Sequence, residues 1–206
     1  MQLLRSQIFL VQREMWPATA SVMALGVIVA FVSGHAEFIY FLAPMMAAAT
    51  LSILFGPEYD QAYELTLSTP TSPWKLLLAR LSIVSAYNML LALAAAAILM
   101  IILPPGPLGK LILGLLAPMT FLSALALLLS MRIGTGNAIT VAYVMWLMQY
   151  VPYQAFGTWM ISPAWKSFIL AYCGFWQNPM LLLVLSAPLL IAILWSANRP
   201  VFHLSI

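Results

Sequence analysis

The chain has 206 residues, of which 64% are hydrophobic and only 6% are charged. A soluble domain has about a quarter of its residues charged, so this composition excludes an ordinary soluble protein and indicates a chain whose solvent is lipid. The formal net charge is +3, and the Lys and Arg residues are scattered along the chain, which excludes a nucleic-acid-binding surface. The single cysteine, Cys173, excludes an intrachain disulfide and an all-cysteine metal site.

Residues 1–15 predict an amphipathic helix that lies along a membrane surface. Apolar side chains recur at helical spacing at Leu4, Ile8, Val11 and Met15, while the other face carries Gln and Arg. The segment is too polar for the core of a signal peptide, and we expect it to be retained. The alternative is that these residues form a solvated start to the first membrane span.

Six membrane spans are predicted after this helix, which gives an all-α membrane protein with a single transmembrane domain over residues 1–206. The spans cover residues 16–33, 38–55, 74–103, 108–131, 138–153 and 179–197. The third span is about 45 Å of helix at 1.5 Å per residue, which exceeds the roughly 30 Å of a bilayer core. We therefore expect its first turns, with Lys75 and Arg80, to project into water.

Residues 154–178, before the last span, are rich in Trp, Tyr and Phe and are interrupted by Gly157, Pro163 and Gly174. Aromatic enrichment marks the headgroup level of a bilayer. We expect an external, re-entrant element of one or two short helices here. The alternative is a seventh span, for which the uninterrupted stretch is too short.

The basic residues predict the orientation of the spans. With an even number of spans both termini lie on one side, and that side receives six of the eight Lys and Arg residues. They are Arg5, Arg13, Lys75, Arg80, Arg132 and Arg199, against Lys110 and Lys166 on the other side. Both termini, and the interval between the second and third spans, are therefore predicted to be cytoplasmic.

That interval, residues 56–73, is a polar segment that holds three of the five acidic residues. Placing Glu58, Asp60 and Glu64 in hydrocarbon would cost about 2.5–3.5 kcal/mol each, so the segment must lie in water. Proline and acidic residues at its start and a proline near its end predict a short helix over residues 58–68. Such a helix, joined directly to a long projecting span, is suited to receive force from a soluble partner.

The same segment resembles the cytoplasmic loop of type-2 ABC exporter permeases. The resemblance lies in the run Glu-Leu-Thr-Leu-Ser-Thr-Pro at residues 64–70, with acids before it and a polar stop before the third span. In that family the loop helix is a coupling helix that docks on a separate ATP-binding subunit. The residues that the resemblance assigns to this contact are Glu58, Tyr59, Asp60, Ala62, Tyr63, Glu64, Leu65, Thr66 and Leu67. The sequence departs from the family at Tyr63, where a glycine is frequent.

The resemblance implies the membrane-spanning permease subunit of an ATP-driven ABC exporter in the inner membrane of a bacterium. Two ATP-binding subunits and a second permease, identical or homologous, would complete the complex. ATP and Mg would be bound by the ATP-binding partner, and this chain is expected to bind no cofactor. Its nearest approach to a Walker A loop, residues 106–110, lacks both the spacing and the Ser or Thr after the Lys.

An enzyme is not expected. His35 falls in a turn and His203 in the C-terminal tail, so no span offers a catalytic base beside a nucleophile. No Asp or Glu lies inside a predicted span, which favours ATP hydrolysis by a partner over a proton or sodium gradient as the energy source.

Polar residues within the spans are candidates for a substrate path, namely Thr50, Ser52, Asn88, Tyr143 and Gln149. The family resemblance nominates the second and fifth spans, which flank the path in a permease dimer. For Asn88 an interhelical hydrogen bond, worth about 0.6 kcal/mol on average, is the open structural alternative.

Two other classes of protein stay open. One is the membrane solute-binding subunit of a vitamin-type importer, which would present a polar pocket near the external face, where this chain is aromatic and apolar. The other is a non-transporting docking or immunity protein of the membrane, which would bind a soluble factor through the same acidic interval.

Overall fold

A computed structural model describes residues 15–35, 37–54, 73–102, 108–150 and 163–197. Over these ranges the chain forms seven helices and no strand. The helices are α1 (Met15–Ser33), α2 (Glu37–Leu54), α3 (Pro73–Ile102), α4 (Leu108–Ile133), α5 (Thr135–Met148), α6 (Pro163–Gln177) and α7 (Pro179–Ala197). The predicted all-α class is therefore confirmed for the part of the chain that the structure describes.

Four of these helices are long and apolar enough to cross a membrane. Their qualifying stretches are Met15–Ser33 in α1, Leu78–Ile98 in α3, Ile112–Ile133 in α4 and Pro179–Ser196 in α7. A shorter apolar stretch, Phe38–Ile53, lies in α2. Large apolar side chains on α1 and α7 are exposed, with Val32 at 79% and Val184 at 71%, as expected for surfaces that contact lipid. The chain therefore has the character of a helical membrane protein.

Helix α4 is the centre of the bundle. Its apolar stretch is 56% buried, against 22–28% for the stretches in α1, α3 and α7. It packs most extensively on α2, α7 and α5. Ala117 and Ala126 of α4 are fully buried against the neighbouring helices. Small residues of this kind let helix backbones approach closely in lipid. Helix α1 lies outside this centre and packs on α2 and α3.

The break between α4 and α5 is shorter than predicted. The sequence indicated a non-helical stretch over residues 132–137, whereas only Gly134 lies between the two helices. Its φ of 84° and ψ of 160° are open to glycine and essentially closed to other residues. One glycine is enough to separate the helices, so Gly136 and Asn137 belong to the first turn of α5.

Helix α6 has 15 residues and lies within the 154–178 stretch that was predicted to hold short helices. Residues 154–162 of that stretch are outside the described ranges. Asn178 alone separates α6 from α7, and its side-chain Oδ1 accepts a hydrogen bond from the backbone N–H of Leu181 at 3.3 Å. This bond caps the first turn of α7.

Helix α3 is 30 residues long, and the two basic residues near its start differ in burial. Lys75 is exposed, but Arg80 is only 5% exposed. The neighbouring Leu81 packs against the cluster that Ala124 and Leu127 of α4 form with Ile193 of α7. The bundle therefore packs on α3 at the level of Arg80 and Leu81.

Candidate functional site

The nine residues that the family resemblance assigns to an ATP-binding subunit, Glu58 to Leu67 without Gln61, lie outside the described residues. The same holds for most of the predicted interfacial helix, residues 1–14. The structure does describe the helices on either side of the acidic interval, since α2 ends at Leu54 and α3 begins at Pro73. Helix α3 is therefore the described element that leads directly out of the acidic interval.

A buried hydrogen bond joins α3 to α2. The Nδ2 amide of Asn88 donates to the Thr50 hydroxyl oxygen at 2.7 Å, and the two residues are 4% and 6% exposed. The Thr50 hydroxyl lies 2.9 Å from the carbonyl oxygen of Met46 and 3.1 Å from that of Ala47. Its single proton goes to these carbonyls, so its oxygen accepts from Asn88.

The preceding residue joins α3 to α1. The Tyr87 hydroxyl donates to the backbone carbonyl of Trp16 at 2.6 Å. Its ring packs edge-on against the Trp16 indole, with ring centroids 4.4 Å apart and an interplanar angle of 85°. Consecutive helical residues point about 100° apart, so Tyr87 and Asn88 hold α3 to two different helices at one level.

This joint lies far from the start of α3. Asn88 is 15 residues from Pro73, or about 22 Å along the helix axis, whereas Thr50 is four residues from the end of α2, or about 6 Å. With α2 and α3 running in opposite directions, α3 extends about 16 Å past the described end of α2. The half of α3 that leads to the acidic interval thus overhangs α2.

A small pocket lies beside the joint, with a volume of about 10 Å³. Its lining comes from α1, α2 and α3 and consists of Met15, Trp16, Thr19, Thr50, Val84, Tyr87 and Asn88. The buried Thr19 hydroxyl donates to the carbonyl oxygen of Met15 at 2.8 Å. Two of the five predicted path residues, Thr50 and Asn88, therefore share one pocket.

The other three path residues are not in that pocket. Ser52 is completely buried, and its hydroxyl has no hydrogen-bond partner in the part of the chain that the structure describes. The Tyr143 hydroxyl donates to the Met45 carbonyl of α2 at 3.2 Å. Gln149 follows the last residue of α5, and its carbonyl oxygen lies 3.8 Å from Cys173 Sγ of α6. The structure thus gives Tyr143 a role in joining α5 to α2.

Aromatic residues join α5, α4 and α6, and the sequence did not single them out as core. Trp176 is 5% exposed, and its ring centroid lies 5.1 Å from that of Trp146 and 5.6 Å from that of Phe121. The Trp146 indole also donates to the Phe41 carbonyl at 2.9 Å. The signal that could have found this cluster is the spacing of Tyr172, Phe175 and Trp176 on one helix face. By contrast, Trp165 and Phe168 on α6 are exposed.

Among the described residues no group of three or more His, Cys, Asp and Glu side chains is placed to hold a metal ion. Comparison with family models, with curated proteins and with solved structures returns no match for this chain.

Proposed function

We propose that this chain is the membrane-spanning permease subunit of an ATP-driven ABC exporter, and that residues 56–73 couple it to a separate ATP-binding subunit. The observation that supports the proposal best is the way α3 is held. This helix starts at Pro73, at the end of the acidic interval. Hydrogen bonds from Tyr87 and Asn88 hold it to α1 and α2, next to the apolar contact of Val84 with Leu51.

Such a helix can act as a lever. A force applied near Pro73 would act about 20 Å from the joint at Tyr87 and Asn88. Because the helix is continuous, a movement of its start would tilt the whole helix about this joint. Nucleotide-driven movement of the ATP-binding subunit would then tilt α3 about this joint and separate it from α4 and α7. The carboxylates of residues 58, 60 and 64 would meet basic or amide groups of that subunit.

The proposed arrangement is a six-span bundle with both termini in the cytoplasm of a bacterial cell. In this arrangement α2 and α5 join the four helices that are long and apolar enough to cross a membrane. A second permease, identical or homologous, and two ATP-binding subunits complete the complex, with ATP and Mg bound by the latter. Helix α6, with exposed Trp165 and Phe168, would lie at the external headgroup level.

The proposed substrate path is flanked by α2 and α5 of the two permeases. Ser52, Tyr143 and Gln149 stay candidates for its lining. Thr50 and Asn88 stay candidates as well, and the hydrogen bond between their side chains gives them a second role. They hold the joint about which α3 tilts.

The proposal is tested by replacing Glu64 and Leu65 together with alanine, with the Thr71→Ala, Ser72→Ala double variant as the control in the same segment. The chain is purified with its ATP-binding partner and reconstituted in vesicles. We expect the Glu64/Leu65 variant to stay folded but to lose transport-linked ATP hydrolysis, while the control retains it. Unchanged hydrolysis in the Glu64/Leu65 variant would contradict the proposal.

A further inference from the structure

The turn between α6 and α7 is held deep against the bundle. Trp176 lies two residues before the turn at Asn178, and its ring centroid is 5.6 Å from that of Phe121 in α4 and 5.1 Å from that of Trp146 in α5. Leu182, four residues after Asn178, is fully buried in the same cluster. Both sides of the turn are therefore fixed at the level of these three aromatic rings, which we call the aromatic layer.

The lengths of α4 and α5 give the depth of the aromatic layer. Phe121 is 13 residues before Gly134 and Trp146 is 12 residues after it, so the layer lies about 18–20 Å from the α4–α5 break. The exposed Arg132 beside Gly134 places this break at a membrane surface. A bilayer core is about 30 Å thick, so the layer lies about 10 Å below the opposite surface.

The α6–α7 turn is exposed at this depth. Gln177, the last residue of α6, and Asn178 both have exposed side chains. The carbonyls in the last turn of a helix have no partner within the helix. Non-helical backbone at membrane depth is tolerated only where it is buried in protein or lines a water-filled cavity. Because the turn is exposed, the second condition applies.

Two hydrogen-bond donors near the turn also lack a partner. Gln149 Nε2 and Trp176 Nε1 are buried, and neither has a hydrogen bond within the part of the chain that the structure describes. Gln149 is held beside α6, since its carbonyl oxygen lies 3.8 Å from Cys173 Sγ. Ordered water is a common partner of buried polar groups that the protein itself leaves unpaired.

We propose that water enters from the membrane surface opposite Gly134 and reaches the α6–α7 turn, so that Gln177 and Asn178 line the floor of an aqueous inlet. Helix α5 leaves room for it, because its 14 residues give about 21 Å of helix in a core of about 30 Å. The inlet brings water to the ends of α5 and α6 while the apolar cluster below it stays dry. The inference does not depend on the proposed transport function or on which side of the membrane is cytoplasmic.

Two reference positions mark the opposite surface and the lipid. His35 lies in the turn between α1 and α2. That turn is on the surface opposite Gly134, because Tyr40 near the start of α2 lies beside Gly114 near the start of α4. Ile28 is an exposed position of α1, five residues before the end of that helix, or about 8 Å along its axis. It is a lipid-facing control at slightly smaller depth than the turn.

The reaction of introduced thiols with a membrane-impermeant maleimide tests the inlet in sealed vesicles of either orientation. Gln177→Cys is made in a Cys173→Ser background. We expect it to react within about tenfold of the rate of His35→Cys, and Ile28→Cys to react at least about a hundredfold more slowly, because hydrocarbon raises the pKa of a thiol and only the thiolate reacts. Gly136→Cys, exposed in the first turn of α5, should react only from the other side. A Gln177→Cys rate as low as that of Ile28→Cys, or reaction from the Gly136 side, overturns the proposal.

Hydrogen–deuterium exchange of the unmodified chain in lipid nanodiscs makes the test independent of these variants. Two N–H groups at the turn, those of Leu181 and Leu182, are held by long hydrogen bonds of 3.3 and 3.2 Å. Local opening costs little at a helix end, so exchange there depends on whether water is present. We expect residues 177–182 to exchange as quickly as residues 37–42 at the start of α2. Exchange as slow as that of residues 22–30 in the middle of α1 overturns the proposal.

Discussion

Asn88 and Thr50 show how a polar pair is tolerated between apolar helices. Each residue is more than nine-tenths buried. The Asn88 amide nitrogen donates a hydrogen bond to the Thr50 hydroxyl oxygen at 2.7 Å, so each side chain satisfies one polar group of the other. The sequence identified both residues as unusual for their position but left a path role and a structural role open for Asn88. It could not pair them, because the pairing depends on the register of two helices that are 38 residues apart at this point.

The Asn88–Thr50 bond is measured by a double-mutant cycle with Asn88→Ala and Thr50→Val. We expect the two substitutions to be non-additive in unfolding free energy by about 0.6 kcal/mol, and by no more than about 1.7 kcal/mol. Thr140→Val is the control partner for Asn88→Ala, because the exposed Thr140 hydroxyl donates to the Gly136 carbonyl of its own helix at 2.9 Å. This second pair should be additive. Additivity of the Asn88 and Thr50 substitutions would contradict the assigned bond.

Arg80 and Lys75 differ in burial although the sequence placed both on a projecting end. Arg80 is 5% exposed and Lys75 is exposed, so truncation of Arg80 removes buried packing. We expect Arg80→Ala to lower the midpoint of thermal unfolding in detergent by several degrees. Lys75→Ala should leave it nearly unchanged, because exposed charges contribute little. Equal effects of the two substitutions would show that the bundle does not enclose α3 at Arg80.

At the scale of the elements, most helix ends were predicted to within two residues, whereas the fifth span was predicted at 138–153 and α5 runs from Thr135 to Met148. The third span was predicted to start at residue 74 and the last at residue 179, and the helices begin at Pro73 and Pro179. Proline is favoured in the first turn because its missing N–H has no partner there anyway. The α4–α5 break was predicted too long, since the cluster of Gly, Thr and Asn at residues 134–137 resembles a loop although α5 begins at Thr135.

The two glycines at this break should respond in opposite directions to alanine. Gly134→Ala forces an L residue into φ 84°, ψ 160°, which costs about 1–3 kcal/mol. Gly136 lies inside the first turn of α5, and a Cβ built there meets nothing within 4 Å. Gly136→Ala should therefore stabilise the helix by about 0.5–1 kcal/mol. Denaturant unfolding of both variants in mixed micelles checks this pair. A stabilising Gly134→Ala would show that α4 and α5 form one continuous helix.

At the scale of the whole molecule, composition predicted a membrane protein and the long apolar runs predicted helices. Which helices pack against each other could be learned only from the structure. The central position of α4 follows from its contacts with α2, α5 and α7, and no local pattern distinguishes it from the other apolar helices. The aromatic residues of α6 illustrate the same limit. Their composition indicated a headgroup location, yet Trp176 packs into the bundle against Trp146.

The acidic interval and its resemblance come from the sequence, while the joint at Tyr87 and Asn88 comes from the structure. Together they make α3 the element through which a cytoplasmic subunit would act on the bundle. The claim on which everything else depends is that residues 56–73 contact an ATP-binding subunit.

That contact is measured most directly by site-specific photo-crosslinking in intact membranes. A photoreactive amino acid is placed at residue 63, with residue 35, in the turn after α1, as the control. The account predicts a crosslink from position 63 to a soluble P-loop ATPase, one that strengthens or weakens when ATP is added, and none from position 35. A position-63 probe that crosslinks only within its own chain or to lipid, while an ATPase is captured elsewhere or not at all, would contradict it.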